Sequence, residues 1–232
     1  MTLLLAVDTS GKNGSLALAR TMPGQSASEI TVLEVVPLTG GAFSAQLVPQ
    51  IAALLEKHAC SRGDLGAFAV TNGPGSFTGL RVGLAAIKAL AEALQRPIVA
   101  ISLLEAVACS GAAPGRVFAV LDAGRSDVYV GDYEIGPQVC MHSERLLSQE
   151  AFIAEAGGCE AMGMAVVTPD PVLAEMVRAA GIHAELIEYP SSAVIARLGR
   201  QHLQRGETVR PEELEANYIR HSDAEIFSKP KA

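Results

Sequence analysis

Tryptophan is absent from this 232-residue sequence, and aromatic residues of any kind make up only 4% of it. A core without large rings has to be assembled from Ala, Leu, Val and Ile, which the 49% hydrophobic share supplies. Charged residues are sparse as well, at 19%, so the composition is that of a folded chain. There is no basic stripe: the formal net charge is −7, and Arg220, Lys229 and Lys231 near the end are interrupted by Asp223 and Glu225. Neutralisation of phosphates supplies most of the affinity for nucleic acid, so tight binding of RNA by this chain alone is not expected. The four cysteines, Cys60, Cys109, Cys140 and Cys159, form no C-x-x-C pair and fit no zinc spacing, which leaves reduced thiols. Among His58, His142, His183, His202 and His221 no two lie three to five apart, so a helical metal-binding pair is excluded and a metallopeptidase is argued against. No apolar run approaches the ~20 residues that span a bilayer, and Leu3–Val7 ends at Asp8, too short for a secretion signal. A soluble cytoplasmic protein is expected.

What is present is an alternation of short apolar runs and helical periodicity. Leu3–Val7, a polar turn from Asp8 to Gly14, and Ser15–Ala19 read as strand, turn, strand, with a third strand at 30–38. A helix is expected over 45–58, where Leu47, Val48, Ile51, Leu54 and Leu55 fall at helical spacing with one dry face and Pro49 is tolerated if it falls in the first turn. A buried strand at 67–71 precedes a second helix over 78–95, with Leu80, Leu84, Ile87, Ala91 and Leu94 on one face and Gly79, Gly83, Ala86 and Ala89 leaving other sides smooth, where Gly79, Gly83 and Ala86 permit a close helix contact. Strand 98–101 and helix 103–110 follow. Then Val117–Leu121, Asp122–Asp127 and Val128–Tyr133 repeat the opening pattern of an apolar strand ending in Asp, a small polar turn and a returning strand. Asp8 and Asp122 stand about half a chain apart, as two lobes on one plan would place them. Beyond Tyr133, helices are expected at 149–155, 172–180 and 193–205, the last capped by Ser192 and closed by Gly206, with strands at 165–168 and 184–188 and a short helix at 212–218. The whole is an α/β protein.

The Gly-rich segment Thr71–Gly79 lies between a strand and a helix, where backbone N–H groups can meet an anion. It is neither a P-loop, for no Gly-Lys-Ser/Thr follows, nor G-x-G-x-x-G, because Thr78 takes the place of the last glycine. Two readings stand: phosphate binding, or a tight turn that lets two backbones approach closely. Asp8 and Asp122 likewise either position a metal–phosphate pair or hydrogen-bond their own turns.

Two stretches, Leu4-Leu5-Ala6-Val7-Asp8-Thr9-Ser10 and Gly73-Pro74-Gly75-Ser76-Phe77-Thr78-Gly79-Leu80-Arg81-Val82-Gly83-Leu84-Ala85, resemble the signature of the TsaB (YeaZ) family. Ser102–Ala106, Asp122-Ala123-Gly124-Arg125, Val128-Tyr129 and Tyr218-Ile219-Arg220 support the likeness, which is dense in the first half and thin after Tyr133. One departure is Phe43, where the family often carries His ahead of its first amphipathic helix.

The resemblance implies an actin-like (ASKHA) fold of two lobes of mixed sheet flanked by helices. The expected division is a first lobe over 1–103 to which 192–220 returns, a second over 104–191 and a mobile tail at 221–232. It implies a non-catalytic scaffold of the machinery that places a threonylcarbamoyl group on the adenosine beside the anticodon of tRNA. Implied partners are a catalytic TsaD-type subunit, a TsaE-type ATPase and, for the chain alone, a second copy; tRNA is met only through the complex. No cofactor is implied for the isolated chain, while the assembled complex admits ATP or ADP. Leu47, Ile51, Leu54, Leu80, Arg81, Leu84 and Ile87 are the expected partner contacts. Asp8, Ser10, Gly73, Gly75 and Asp122 are the expected vestigial nucleotide set. The alternative is a self-sufficient actin-like phosphotransferase, which needs tight ATP binding by Asp8, Ser10, Gly75 and Asp122.

Overall fold

A computed structural model of the chain describes residues 2–21, 30–111, 114–159 and 164–220. The tail expected at 221–232 lies outside the described residues. The chain divides into two units, one running to Ala106 and resuming at Pro190–Ala216, the other comprising Val107–Tyr189 and continuing from Asn217.

In the first unit β1 (Thr2–Asp8) lies at the centre of a five-stranded sheet of order β3-β2-β1-β4-β5. It pairs antiparallel with β2 (Gly14–Thr21), which pairs antiparallel with β3 (Thr31–Leu38), and parallel with β4 (Leu65–Gly73), which pairs parallel with β5 (Ile98–Ser102). A central strand covered on both faces has no polar side to show, which is why Leu3–Val7 reads as an unbroken apolar run. On one face α1 (Phe43–Lys57) and α2 (Phe77–Leu94) close over Leu3, Leu5, Val7, Leu16 and Leu18 with Leu47, Ile51, Leu54, Leu84 and Ile87. Each of these side chains contributes about 1.5–3 kcal/mol by leaving water. Pro49 stands in the second turn of α1, not the first, and there it removes one intrahelical hydrogen bond.

The opposite face is covered by α6 (Ser192–Gln204), which packs on β1, β2, β4 and β5. Its N-cap is Ser191, which accepts from the Ala193 amide, and not Ser192. Ser192 is fully buried and serves as a tether. Its hydroxyl donates to the Ser15 carbonyl at 2.6 Å, its amide donates to Ser15 Oγ at 2.9 Å, and the two hydroxyls lie 2.8 Å apart. The short helix expected at 212–218 is only a single 3-10 turn, Pro211–Glu213.

The second unit repeats the plan. Its sheet runs β10-β9-β6-β7-β8, with β6 (Gly115–Gly124), β7 (Asp127–Ile135) and β8 (Cys140–Ser148) as the antiparallel trio and β9 (Ala165–Thr168) and β10 (Ala184–Leu186) added in parallel to β6. Helix α3 (Leu103–Ala108) leads into this unit; α4 (Gln149–Cys159) precedes β9 and α5 (Pro171–Ala179) precedes β10, as α1 precedes β4 and α2 precedes β5. Phe118, Val120, Val128 and Val130 form its core with Phe152, Leu173 and Val177, and the rings of Phe118 and Phe152 meet edge to face at 6.0 Å. Strand β6 thus corresponds to β1, and the Asp-ended hairpin repeated in sequence is repeated in structure. Two such sheets of one topology are the actin-like ATPase architecture.

Candidate functional site

Asp8 ends β1 and Asp122 stands near the end of β6, and each folds its carboxylate back onto the turn that follows. Asp8 Oδ1 accepts from the Ser10 amide at 2.9 Å and from the Ser10 hydroxyl at 2.5 Å. Asp122 Oδ1 accepts from the Gly124 amide at 3.0 Å. These are the self-bonded turns that Asp favours at strand ends. Their surroundings differ. Asp122 is exposed, whereas Asp8 is 1% exposed, and burial pushes its carboxyl above the ordinary range although Ser10 pulls it down. The Thr71 hydroxyl on neighbouring β4 also pulls it down.

The Gly-rich loop closes on this turn. Thr9 Oγ1 donates to the Gly79 carbonyl at 2.8 Å, and the Ser76 amide donates to the Ser10 carbonyl at 2.7 Å. A Cβ on Gly79 would lie 2.1 Å from the Thr9 carbonyl oxygen, and one on Gly83 would lie 2.3 Å from Thr9 Oγ1. No side chain fits at either place, so the glycines are there for close approach. This corrects the expectation that the smooth side of α2 receives another helix: at Gly79 and Gly83 it receives the segment Thr9–Ser10. Gly75 joins the same contact, a Cβ there falling 2.4 Å from the Ser10 carbonyl oxygen, and Gly73 is buried beside it in β4. Phe43 packs into the clamp, with one ring carbon 3.3 Å from where a Gly79 Cβ would stand, so the departure from His places an apolar ring where the chain needs filling.

Asp8, Ser10, Gly73 and Gly75 are therefore brought together, while Asp122 belongs to the second unit. Much of the arrangement is engaged internally, although the buried Thr71 Oγ1 and Asn72 Oδ1 have no hydrogen-bond partner among the described residues. Asp8 Oδ1 is engaged by Ser10, the Ser76 amide by Ser10, and the Gly79 amide by the N-capping Ser76 hydroxyl at 3.3 Å. Two of the amides that would greet a phosphate at the start of α2 are thus taken up internally. Among the described residues no three His, Cys, Asp or Glu side chains form a group that could hold a metal ion.

The residues expected to contact a partner are placed differently from the sequence reading. Leu47, Ile51, Leu54, Leu80, Leu84 and Ile87 are all buried within the chain, between 0 and 6% exposed; of the seven only Arg81 is exposed. The reason is amphipathicity: the leucine face of each helix is the face the chain's own sheet takes. Left outside are Ala45, Val48 and Ala52 on α1 and Phe77, Arg81, Ala85 and Ala89 on α2, with Val48 57% exposed and Phe77 42%. The Arg81 guanidinium stacks over the Phe77 ring, 3.6 Å from its centroid. Of these, the sequence places Arg81 among the partner contacts, Val48 on the apolar stripe of the first helix and Ala89 on the smooth side of the second, whereas Ala45, Ala52, Phe77 and Ala85 receive no partner role there; Val48 lies outside because the chain's own sheet takes the face of Leu47, Ile51 and Leu54.

The family model for TsaD, tRNA N6-adenosine threonylcarbamoyltransferase, matches residues 35–156. The chain is 33% identical over 132 residues to the tRNA threonylcarbamoyladenosine biosynthesis protein TsaB of Bacillus subtilis, covering 56% of this chain and 55% of that protein. It is 30% identical over 145 residues to TsaB of Escherichia coli, covering 61% of this chain and 59% of that one. The alignments thus span a little over half the length of these curated relatives. Among solved structures, YeaZ from Pseudomonas aeruginosa superposes with a TM-score of 0.74 at 26% identity, covering 94% of this chain and all of that one. Matched over half its length by the threonylcarbamoyltransferase model, and similar to TsaB and YeaZ in sequence and structure, the chain belongs to the TsaB (YeaZ) family.

Proposed function

We propose that this protein acts in the biosynthesis of threonylcarbamoyladenosine on tRNA as a non-catalytic subunit that binds and stabilises a TsaD-type enzyme. The observation that carries the reading is the outer face of α1 and α2. Along it run Ala45, Val48, Ala52, Ala85 and Ala89, with the exposed charges Glu56, Lys57 and Glu92 toward the helix C-termini, on two helices already fixed by their buried leucines. Short side chains let a partner's helices come close and cost little entropy to order. Phe77 and Arg81 at the start of α2 add the aromatic and guanidinium groups in which binding energy concentrates. On this reading the same face holds a second copy when the enzyme is absent. Contact with tRNA and with a TsaE-type ATPase is made through the complex, and any ATP or ADP is held there.

The alternative of a self-sufficient phosphotransferase is not favoured, because its key acid, Asp8, is buried and turned onto Ser10. The test is reconstitution. Purified TsaD-type enzyme, TsaE-type ATPase, tRNA and threonylcarbamoyl adenylate are combined with and without this chain, and modified adenosine is counted. Modification that rises when the chain is added, and is absent when the chain replaces the enzyme, is the expected result. Modification by the chain alone, or no response to it, contradicts the reading.

A further inference from the structure

The turn joining β6 to β7 holds three successive residues in the left-handed region: Gly124 at φ +72°, Arg125 at +58° and Ser126 at +63°. Glycine enters that region freely, but Arg and Ser do so at a cost, and Asn-Gly is the usual choice for such a hairpin. A strained turn persists only when its surroundings hold it. Part of the hold is local: Asp122 Oδ1 accepts from the Gly124 amide, and the Ser126 carbonyl accepts from the Gln149 amide at 2.9 Å.

The rest comes from far along the chain. Arg220 Nη2 donates to the Asp127 carboxylate and, at 3.4 Å, to the Gly124 carbonyl. Arg220 is itself placed by the segment before it, where Asn217 Nδ2 donates at 2.6 Å to Glu144, a carboxylate on β8 that also accepts from the buried Tyr133 hydroxyl. These contacts lie within the second unit and join its hairpin to residues more than 90 positions away in sequence.

We propose that residues Asn217–Arg220 are a latch that holds the strained β6–β7 turn in its left-handed form. Arg125 and Ser126 are exposed at the tip of that turn, so the C-terminal segment sets how they are presented. Arg220 is a positioning residue: it acts on Arg125 and Ser126 through the backbone and through Asp127. Displacing the segment would let the two residues return to ordinary φ and would change the shape of the tip.

Amide hydrogen exchange on the full-length protein tests this at the Gly124 and Gln149 amides, whose bonds depend on the turn. Loss of a charge-assisted hydrogen bond that is only part-buried should make these amides open about tenfold more often. Arg220→Ala is expected to accelerate exchange at both by roughly that factor, while the β6 and β7 core amides around Val120 and Val130 keep their rates. The triple variant Arg125→Gly, Ser126→Gly, Arg220→Ala is expected to regain protection, because glycine needs no latch to stay left-handed. Unchanged exchange in Arg220→Ala overturns the proposal. So does acceleration across the whole sheet, which would make Arg220 a general stabiliser, and so does failure of the glycine pair to restore protection.

Discussion

Replacing Gly79 by alanine asks whether the Gly-rich segment is built for close approach. Helix propensity alone favours the change by about 1 kcal/mol. Against that, the new Cβ would sit 2.1 Å from the Thr9 carbonyl oxygen, well inside contact distance, and that nearest neighbour is backbone, with the Phe43 ring behind it at 3.3 Å. The helix start and the Asp8–Ser10 turn must therefore separate. The bonds at risk are Thr9 Oγ1 to the Gly79 carbonyl and the Ser76 amide to the Ser10 carbonyl. A buried polar group left without a partner costs about 1–3 kcal/mol, so two broken bonds less the propensity gain leave ~1–5 kcal/mol, centred near 3. With a urea slope of about 2–3 kcal/mol/M, the unfolding midpoint of the first unit should fall by roughly 1 M at unchanged slope. Gly83→Ala, meeting Thr9 Oγ1 at 2.3 Å, should cost less, since a side-chain hydroxyl can rotate away. A stabilised Gly79→Ala protein, or one within ~0.5 kcal/mol of the parent, would show that the glycine is there for something other than packing.

Leu84→Glu places a charge in the first core and should abolish cooperative unfolding, whereas Ala85→Glu, one residue on and exposed, should leave the thermal midpoint within a few degrees; circular dichroism melts separate the two. Asp8 gives a pH dependence. Burial holds its folded carboxyl above the ordinary value near 3.8, so as pH climbs past that value the unfolded chain releases a proton that the folded chain keeps, and stability falls until the folded carboxyl ionises too. Asp8→Asn keeps an acceptor for Ser10 without the charge. Its melting temperature relative to the parent should therefore rise with pH above about 4 and then level off, and a difference independent of pH would refute the buried-charge account. Ser15→Ala should cost about 1–3 kcal/mol in denaturant unfolding by stranding Ser192, and adding Ser192→Ala should restore part of the loss, because the pair fails as a unit.

Much of this fold is written in local pattern. The apolar run of β1, the leucine stripes of α1 and α2, and the two Asp-ended hairpins are set by the period and burial of single elements. Strand β8 was not anticipated because it is an edge strand, half exposed along most of its length, and Cys140–Ser148 alternates too weakly to announce itself. The N-cap of α6 was misplaced by one residue because Ser191 and Ser192 are equivalent locally; only the distant Ser15 decides which caps and which tethers. The candidate site was harder for the same reason. Asp8, Ser10 and Gly75 were recognised as a group, but that Gly79 and Gly83 receive Thr9 depends on where two loops 70 residues apart are brought together. Leucines in an amphipathic helix name a buried face without saying what buries it, and here that is the chain's own sheet.

The central claim, that the outer face of α1 and α2 is where a TsaD-type enzyme docks, is tested most directly by light scattering coupled to size-exclusion chromatography. The parent chain and the Val48→Glu, Ala85→Glu double variant are each run alone and with the enzyme. The account predicts a stable mixed complex for the parent, and its loss in a double variant whose melting temperature is unchanged, since both positions are exposed. A parent that forms no complex, or a folded double variant that binds as tightly as the parent, would contradict it.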